Sequence, residues 1–176
     1  MEISGAFRNW AYLPVDPKMS RSGSKPIDFR TVDPHGILRS GKIHPELARR
    51  VESLLIRADQ EGLDLMVQQG FRDNEEQQKI FDNGSGVTHA PAGFSFHNYG
   101  LAGDIVFRDP KGQPSWSEQH DWKKLGQLGK EAGLAWGGDW KQPDRPHFQY
   151  PPHTSITQIR RLYNDGGMSG LWNSIK

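Results

Sequence analysis

Two short stretches carry the side chains able to do chemistry. In the first, Ser95-Phe96-His97-Asn98-Tyr99-Gly100 leads through Leu101-Ala102-Gly103 to Asp104-Ile105-Val106-Phe107. A turn at Asn98–Gly100 runs straight into an apolar strand that carries a carboxylate, and an ionised Asp104 in such a strand costs several kcal/mol unless it is paired or bound to a metal. The turn folds His97 back beside Asp104. The second stretch, Asp144-Arg145-Pro146-His147-Phe148-Gln149-Tyr150, again brings a polar group into an aromatic strand. His97, Asp104 and His147 together form a set of two imidazoles and one carboxylate with one position left open, the pattern of catalytic zinc. Asp144, three residues before His147, is placed beside that position as a candidate general base. The spacing of His97 and Asp104 is a weak signal, and on spacing alone a plain hydrogen bond that buttresses the turn is favoured over a metal site. His35, His44, His120 and His153 read as solvated or structural histidines.

The elements that must position these residues follow from pattern. Residues 1–26 are an arm, with Asp16–Pro26 its loosest part. Ile27–Val32 and Ile37–Arg39 read as the two strands of a hairpin around an Asp33–Gly36 turn. Pro45–Gly62 is a helix with Leu47, Val51, Leu54, Leu55 and Ala58 on one face. Leu65–Gln69 alternates as a strand. Asp73 caps a helix through Phe81, with Glu76 completing a capping-box-like start. Leu101–Phe107 is a strand, and Ser115 or Ser117 opens a helix that carries His120 in its first turn, buries Trp122, Leu125 and Leu128 and stops at Gly133. His147–Tyr150 is a short strand, and Ile156–Tyr163 is a last helix ending at Asn164–Gly167. Helices and hairpin-like strands mix without a strict alternation, so the fold class is α+β: a small antiparallel sheet with flanking helices and the zinc site at the sheet. The expected division is an arm and hairpin over 1–43 and a domain over 44–176 that includes the C-terminal helix.

Composition narrows the function. The 176 residues suffice for one domain with a real core. Mean hydropathy is −0.76, yet six tryptophans and an aromatic share of 10% argue against disorder. Lys+Arg of 22 against Asp+Glu of 21 gives no electrostatic case for nucleic acid as partner. With no cysteine, disulfides, thiolate nucleophiles and Cys-ligated metals are excluded. No run approaches the ~20 apolar residues that span a bilayer, so no stable membrane insertion is expected. The N-terminus has no basic start followed by an apolar stretch, so no secretory leader is read there. Trp116, Trp122, Trp136 and Trp140 fit either a sugar-stacking platform or core and cleft walls. Residues 156–176, with Arg160, Arg161 and Lys176 beside Leu162, Leu171 and Trp172, fit a docked helix or a contact to an anionic surface.

The stretch Thr88–Asp104 resembles the S-x-H-x-x-G-x-A-x-D signature of the zinc peptidases that cut bacterial cell-wall peptides. That family holds D-Ala-D-Ala carboxypeptidases and dipeptidases, and the L-alanyl-D-glutamate endopeptidases of phage endolysins and bacterial wall hydrolases. Three further stretches match in order: His44-Pro45-Glu46-Leu47, Gly70-Phe71-Arg72 with Gln77, and Trp136-Gly137-Gly138-Asp139-Trp140 followed by Asp144 and His147. The resemblance covers about residues 44–150. It implies that His97, Asp104 and His147 ligate zinc and that Asp144 passes a proton from the attacking water to the leaving amine. It implies that Arg72 holds the scissile carbonyl oxygen, and that Ser95 and Gln77 hydrogen-bond substrate or support the site. The base is typically Glu in the dipeptidase branch and Asp in the endopeptidase branch, so Asp144 resembles the latter. The implied activity is a zinc-dependent cut between L-Ala and D-Glu of the peptidoglycan stem peptide. The N-terminus read without a leader fits a phage endolysin, made in the cytoplasm and reaching the wall through a holin-type pore, and fits equally well a host enzyme released by lysis or exported by another route; a monomer is expected. The alternatives are a D-Ala-D-Ala carboxypeptidase and a non-catalytic wall-binding module.

Overall fold

The computed structural model describes residues 27–84, 88 and 90–175. The expected hairpin is absent. In its place stand a single turn of helix, α1 (Phe29–Val32), and a 3-10 turn over Ile37–Arg39. Two carboxylates decide this. Asp28 accepts from the Arg30 N–H, and Asp33 accepts from Ile37 and Leu38 N–H at 2.8 and 2.9 Å. A side chain that offers the backbone a local acceptor competes directly with strand pairing. Val32, Leu38 and Ile43 join the main core. The arm over 1–26 lies outside the described residues.

Helix α2 (Pro45–Gln60) starts on His44, whose Nδ1 accepts from Glu46 N–H, with Pro45 in the first turn. It buries Leu47, Val51, Leu54, Leu55 and Ala58 as its period requires. Strand β1 (Leu65–Gln69) leads to α3 (Asn74–Asp82), capped by Asp73. Only half of the capping box forms there, because the Glu76 carboxylate accepts from Gln69 Nε2 instead. A 3-10 turn, Phe96–Tyr99, precedes β2 (Ala102–Arg108), and β3 (Pro114–Ser115) returns against it. Helix α4 (Trp122–Glu131) is capped by Asp121 and not by Ser115 or Ser117. Ser115 belongs to β3, and His120 stands ahead of the helix, stacked on Phe107 and 2.7 Å from Ser115 Oγ. Strands β4 (Ala135–Trp136) and β5 (His147–Gln149) complete the sheet. Helix α5 runs over Ile156–Ser174, well past the expected stop, and is broken at Gly167 with φ +64°.

The sheet is antiparallel throughout, in the order β1-β2-β5-β4 with β3 on β2. The expected α+β class is what forms. Helix α2 packs on β1 and β2, and α4 packs on β4 and α2. The approach of α4 to the sheet is set by two glycines. A Cβ on Gly126 would stand 2.3 Å from the Trp136 ring, and one on Gly129 would stand 2.1 Å from Phe148. Phe148, fully buried, thus sits under α4 immediately after His147.

Candidate active site

The strand register builds half of the site. Asp104 of β2 lies directly opposite His147 of β5, and Gln69 pairs on its other side after a bulge between Val67 and Gln69. Bulges re-aim the chain beside functional sites. Here β1 leaves the sheet with the Gly70 carbonyl 2.6 Å from His97 Nδ1. His97 stands on the Phe96–Tyr99 turn. Ser95 Oγ accepts from His97 N–H at 3.3 Å, and Asn98 Oδ1 accepts from Gly93 and Ser95 N–H. Asn98 Nδ2 donates to the Arg72 carbonyl at 3.0 Å, tying the turn to the Arg72 segment.

Three donor atoms converge. His97 Nε2 is 3.2 Å from His147 Nδ1 and 3.3 Å from Asp104 Oδ1, and His147 Nδ1 is 3.6 Å from the same oxygen. A tetrahedral zinc with ligands at about 2.0–2.1 Å separates its donors by about 3.4 Å. The outer ring nitrogens fix the tautomers. His97 Nδ1–H donates to Gly70 O, and His147 Nε2–H donates to Gln149 Oε1 at 3.0 Å. The inner nitrogens therefore present lone pairs to one another and to a carboxylate oxygen, an arrangement that needs a proton or a cation among them. These residues are the group that could hold a metal ion among the described residues. The structure thus extends the simple turn-buttressing hydrogen bond to a three-point cluster.

Burial would raise the Asp104 carboxyl, but the charges and hydrogen bonds of His97 and His147 hold it far below the usual carboxylate range. Burial would lower His147, and Asp104, Asp144 and Gln149 outweigh it and raise it. Asp144 is raised, first by burial and then by Asp104, against the pull of His147, His97 and Arg72. A carboxylate moved upward in this way is a better proton acceptor than an ordinary one. Asp144 is set in place through its backbone: its N–H donates to Gly137 O at 3.0 Å, and its carbonyl accepts from His147 N–H at 3.2 Å. A Cβ on Gly137 would stand 2.4 Å from the Asp144 carbonyl and 3.1 Å from the His147 Cβ, so only glycine lets the loop close this tightly. Trp136 Nε1–H holds the Arg145 carbonyl at 2.8 Å. The Arg145 side chain pairs with Glu118 at the surface.

Arg72 is buried, with Nη1 donating to Gln77 Oε1 at 2.9 Å and Nη2 3.7 Å from Asp104 Oδ2. Among the described residues its Nε has no hydrogen-bond partner. Gln77 is fully buried, and its amide also donates to Ala90 O and Thr88 Oγ1. Of the two roles read for Gln77, substrate contact or support of the site, these bonds make the second, by way of Arg72. Ser95 makes its bond within the turn that carries His97. Sequence reasoning missed Gln149. A signal was present, since residues two apart on a strand share a face, and Gln149 shares that of His147. It also missed Asn98. Of Trp116, Trp122, Trp136 and Trp140, Trp122 and Trp136 are buried. Trp140 is 42% exposed, with its ring 4.9 Å from that of His147, and forms a wall beside the donors.

A model of D-alanyl-D-alanine carboxypeptidases in the peptidase M15 family matches residues 88–150. The peptidoglycan L-alanyl-D-glutamate endopeptidase CwlK of Bacillus subtilis is 32% identical over 125 residues, spanning 63% of this chain and 75% of CwlK. The chain belongs to the peptidase M15 family. M15 peptidases are zinc-dependent enzymes that act on peptidoglycan, and the residues matched by the family model include His97, Asp104, Asp144 and His147. The L-Ala D-Glu endopeptidase ChiX of Serratia marcescens is 29% identical, with a TM-score of 0.51 over 65% of this chain and 86% of ChiX. The D,D-pentapeptidase VanY, solved with Zn(II), shares the fold with a TM-score of 0.52 at 20% identity, over 70% of this chain and 81% of VanY.

Proposed function

We propose that this M15 peptidase is a zinc-dependent endopeptidase that cuts the L-Ala–D-Glu bond of the peptidoglycan stem peptide. The observation that carries the reading is the convergence of His97 Nε2, Asp104 Oδ1 and His147 Nδ1 at zinc-like spacing, with Asp144 and Arg72 within electrostatic reach. A zinc ion held there would polarise the scissile carbonyl and lower the pKa of its water to about 7. The protein's own groups do the rest. Asp144, its carboxyl raised by burial, takes the proton of the attacking water and returns it to the leaving amine. Arg72, steadied by Gln77, faces the negative charge that develops on the carbonyl oxygen and is strongest at the transition state. Gly70 O and Gln149 keep the two imidazoles in the tautomers that leave the inner nitrogens unprotonated.

The choice of bond rests on two supports: CwlK and ChiX are named for it, and Arg145, committed to Glu118 at the surface, offers no clamp for a free C-terminal carboxylate. The test is digestion of purified peptidoglycan followed by mass spectrometry. New D-Glu N-termini and glycan strands that keep only lactyl-L-Ala are expected. Free D-Ala with the L-Ala–D-Glu bond intact would move the chain to the carboxypeptidase activity that the family model describes. No released product from metal-loaded protein would overturn the enzyme reading. The setting we propose is a phage lysin released to the wall. Expression in the cytoplasm should then lyse cells only when a holin-type pore is supplied.

A further inference from the structure

We propose that Trp172, in the last turns of α5, is a positioning residue for the metal ligand His97. The inference rests on the reading of His97 as a ligand and lies outside the family match, which ends at residue 150.

The terminal carbonyls of a helical turn have no partner within it. In the Phe96–Tyr99 turn these are taken from opposite ends of the chain. Trp172 Nε1–H donates to Tyr99 O at 2.8 Å, and His44 N–H donates to Gly100 O at 2.8 Å. The two donors are themselves joined, because His44 Nε2–H donates to Trp172 O at 3.2 Å. The tautomer that requires is set on the other side of the ring, where His44 Nδ1 accepts from Glu46 N–H at 3.1 Å. The result is a closed circuit of hydrogen bonds through residues 44, 99–100 and 172.

Packing fixes the circuit. The His44 and Trp172 rings meet edge to face, centroids 5.6 Å apart. Gly100 has φ +66°, and a Cβ there would stand 2.4 Å from Lys42 O and 2.9 Å from Trp172 Cζ2. Leu171 is fully buried and Ile175 nearly so, which seats the segment. The break at Gly167 allows α5 to change direction before Trp172. Ser95 and Asn98 hold the start of the His97 turn, and Trp172 with His44 holds its end. Loosening the end frees His97 to leave the geometry shared with Asp104 and His147.

Trp172→Phe keeps a ring and removes the N–H. Chelator competition on the full chain should show about three- to tenfold weaker zinc binding, the effect of one backbone hydrogen bond. The cobalt(II)-loaded form should show shifted visible bands. Val51→Ala, in α2, is the control: it lowers the melting temperature and leaves metal affinity unchanged. Unchanged zinc affinity and cobalt bands in Trp172→Phe, whatever its stability, would overturn the inference. A second measurement needs no variant. Coupling is reciprocal, so zinc must slow exchange of the Trp172 indole proton by a similar factor in the native protein, and an unchanged exchange rate would also refute it. Failure of the native protein to bind zinc at all would instead refute the ligand assignment.

Discussion

Gln77→Leu tests whether Arg72 acts through its buried partner. The glutamine has no exposed surface and makes three hydrogen bonds: from Arg72 Nη1 at 2.9 Å, to Ala90 O at 2.6 Å and to Thr88 Oγ1 at 3.1 Å. Leucine fills nearly the same volume and makes none of them. The bond to Arg72 is charge-assisted, worth about 1.5–3 kcal/mol. Without it the guanidinium keeps, among the described residues, only Asp104, 3.7 Å away, and is drawn toward that carboxylate and away from the carbonyl oxygen. If the loss falls on the transition state, kcat drops about 10- to 150-fold while KM stays near its original value. The hydrogen bonds of Gln77 go to Arg72, Thr88 and Ala90 and not to His97, Asp104 or His147, so zinc content should be unchanged. The assay is steady-state hydrolysis of a soluble stem peptide, with zinc measured on the same preparation. A lower melting temperature with unchanged kcat would reduce Gln77 to a core residue and refute the argument. A rise in KM alone would restore the substrate contact that the sequence allowed.

His147→Ala should lose both zinc and activity, whereas Asp144→Asn should keep zinc and lose activity by ~10²–10⁴-fold; metal analysis of the two variants separates ligand from base, and loss of zinc in Asp144→Asn would make Asp144 a ligand. Gly129→Ala gains up to about 1 kcal/mol of helix propensity, but its Cβ would stand 2.1 Å from the fully buried Phe148. Overpacking of that kind costs about 1–3 kcal/mol, so a lower melting temperature is expected, and a higher one would refute the close approach of α4. Burial lowers the pKa of His44, partly offset by Trp172 O and Glu46. The unfolded chain therefore binds this proton first, and stability falls as pH drops through about 6.5 toward the folded value. His44→Asn keeps an N-cap acceptor and should unfold with a flatter pH dependence between pH 7 and 5; an unchanged slope would count against the buried neutral imidazole.

The parts of the molecule legible in the sequence are those whose cause is local. The period of α2, the Asp73 cap of α3 and the alternation of β1 are each written within a few residues, and each element forms where its pattern lies. The clustering of His97 with Asp104 was legible for a similar reason. His97 and Asp104 are joined by one turn, and a carboxylate in an apolar strand demands a partner. What the sequence hid depends on choices between equally local signals, or on contacts made far along the chain. Ile27–Val32 and Ile37–Arg39 alternate well enough for strands, and the result turns on where the Asp28 and Asp33 carboxylates find their donors. Asn164–Gly167 has every mark of a helix stop, and Gly167 does leave helical geometry. The chain nevertheless winds again, because Leu171 and Ile175 have a core to enter. The same division runs through the site. Histidine and aspartate advertise metal chemistry by type, but a glutamine does not reveal whether it will face substrate or steady an arginine. Gln77 and Gln149 acquire their roles from the fold: one from full burial beside Arg72, the other from sharing a strand face with His147. Residue type and spacing mark which side chains are candidates for metal chemistry, whereas the groups that aim them are defined by packing and have to be found in three dimensions.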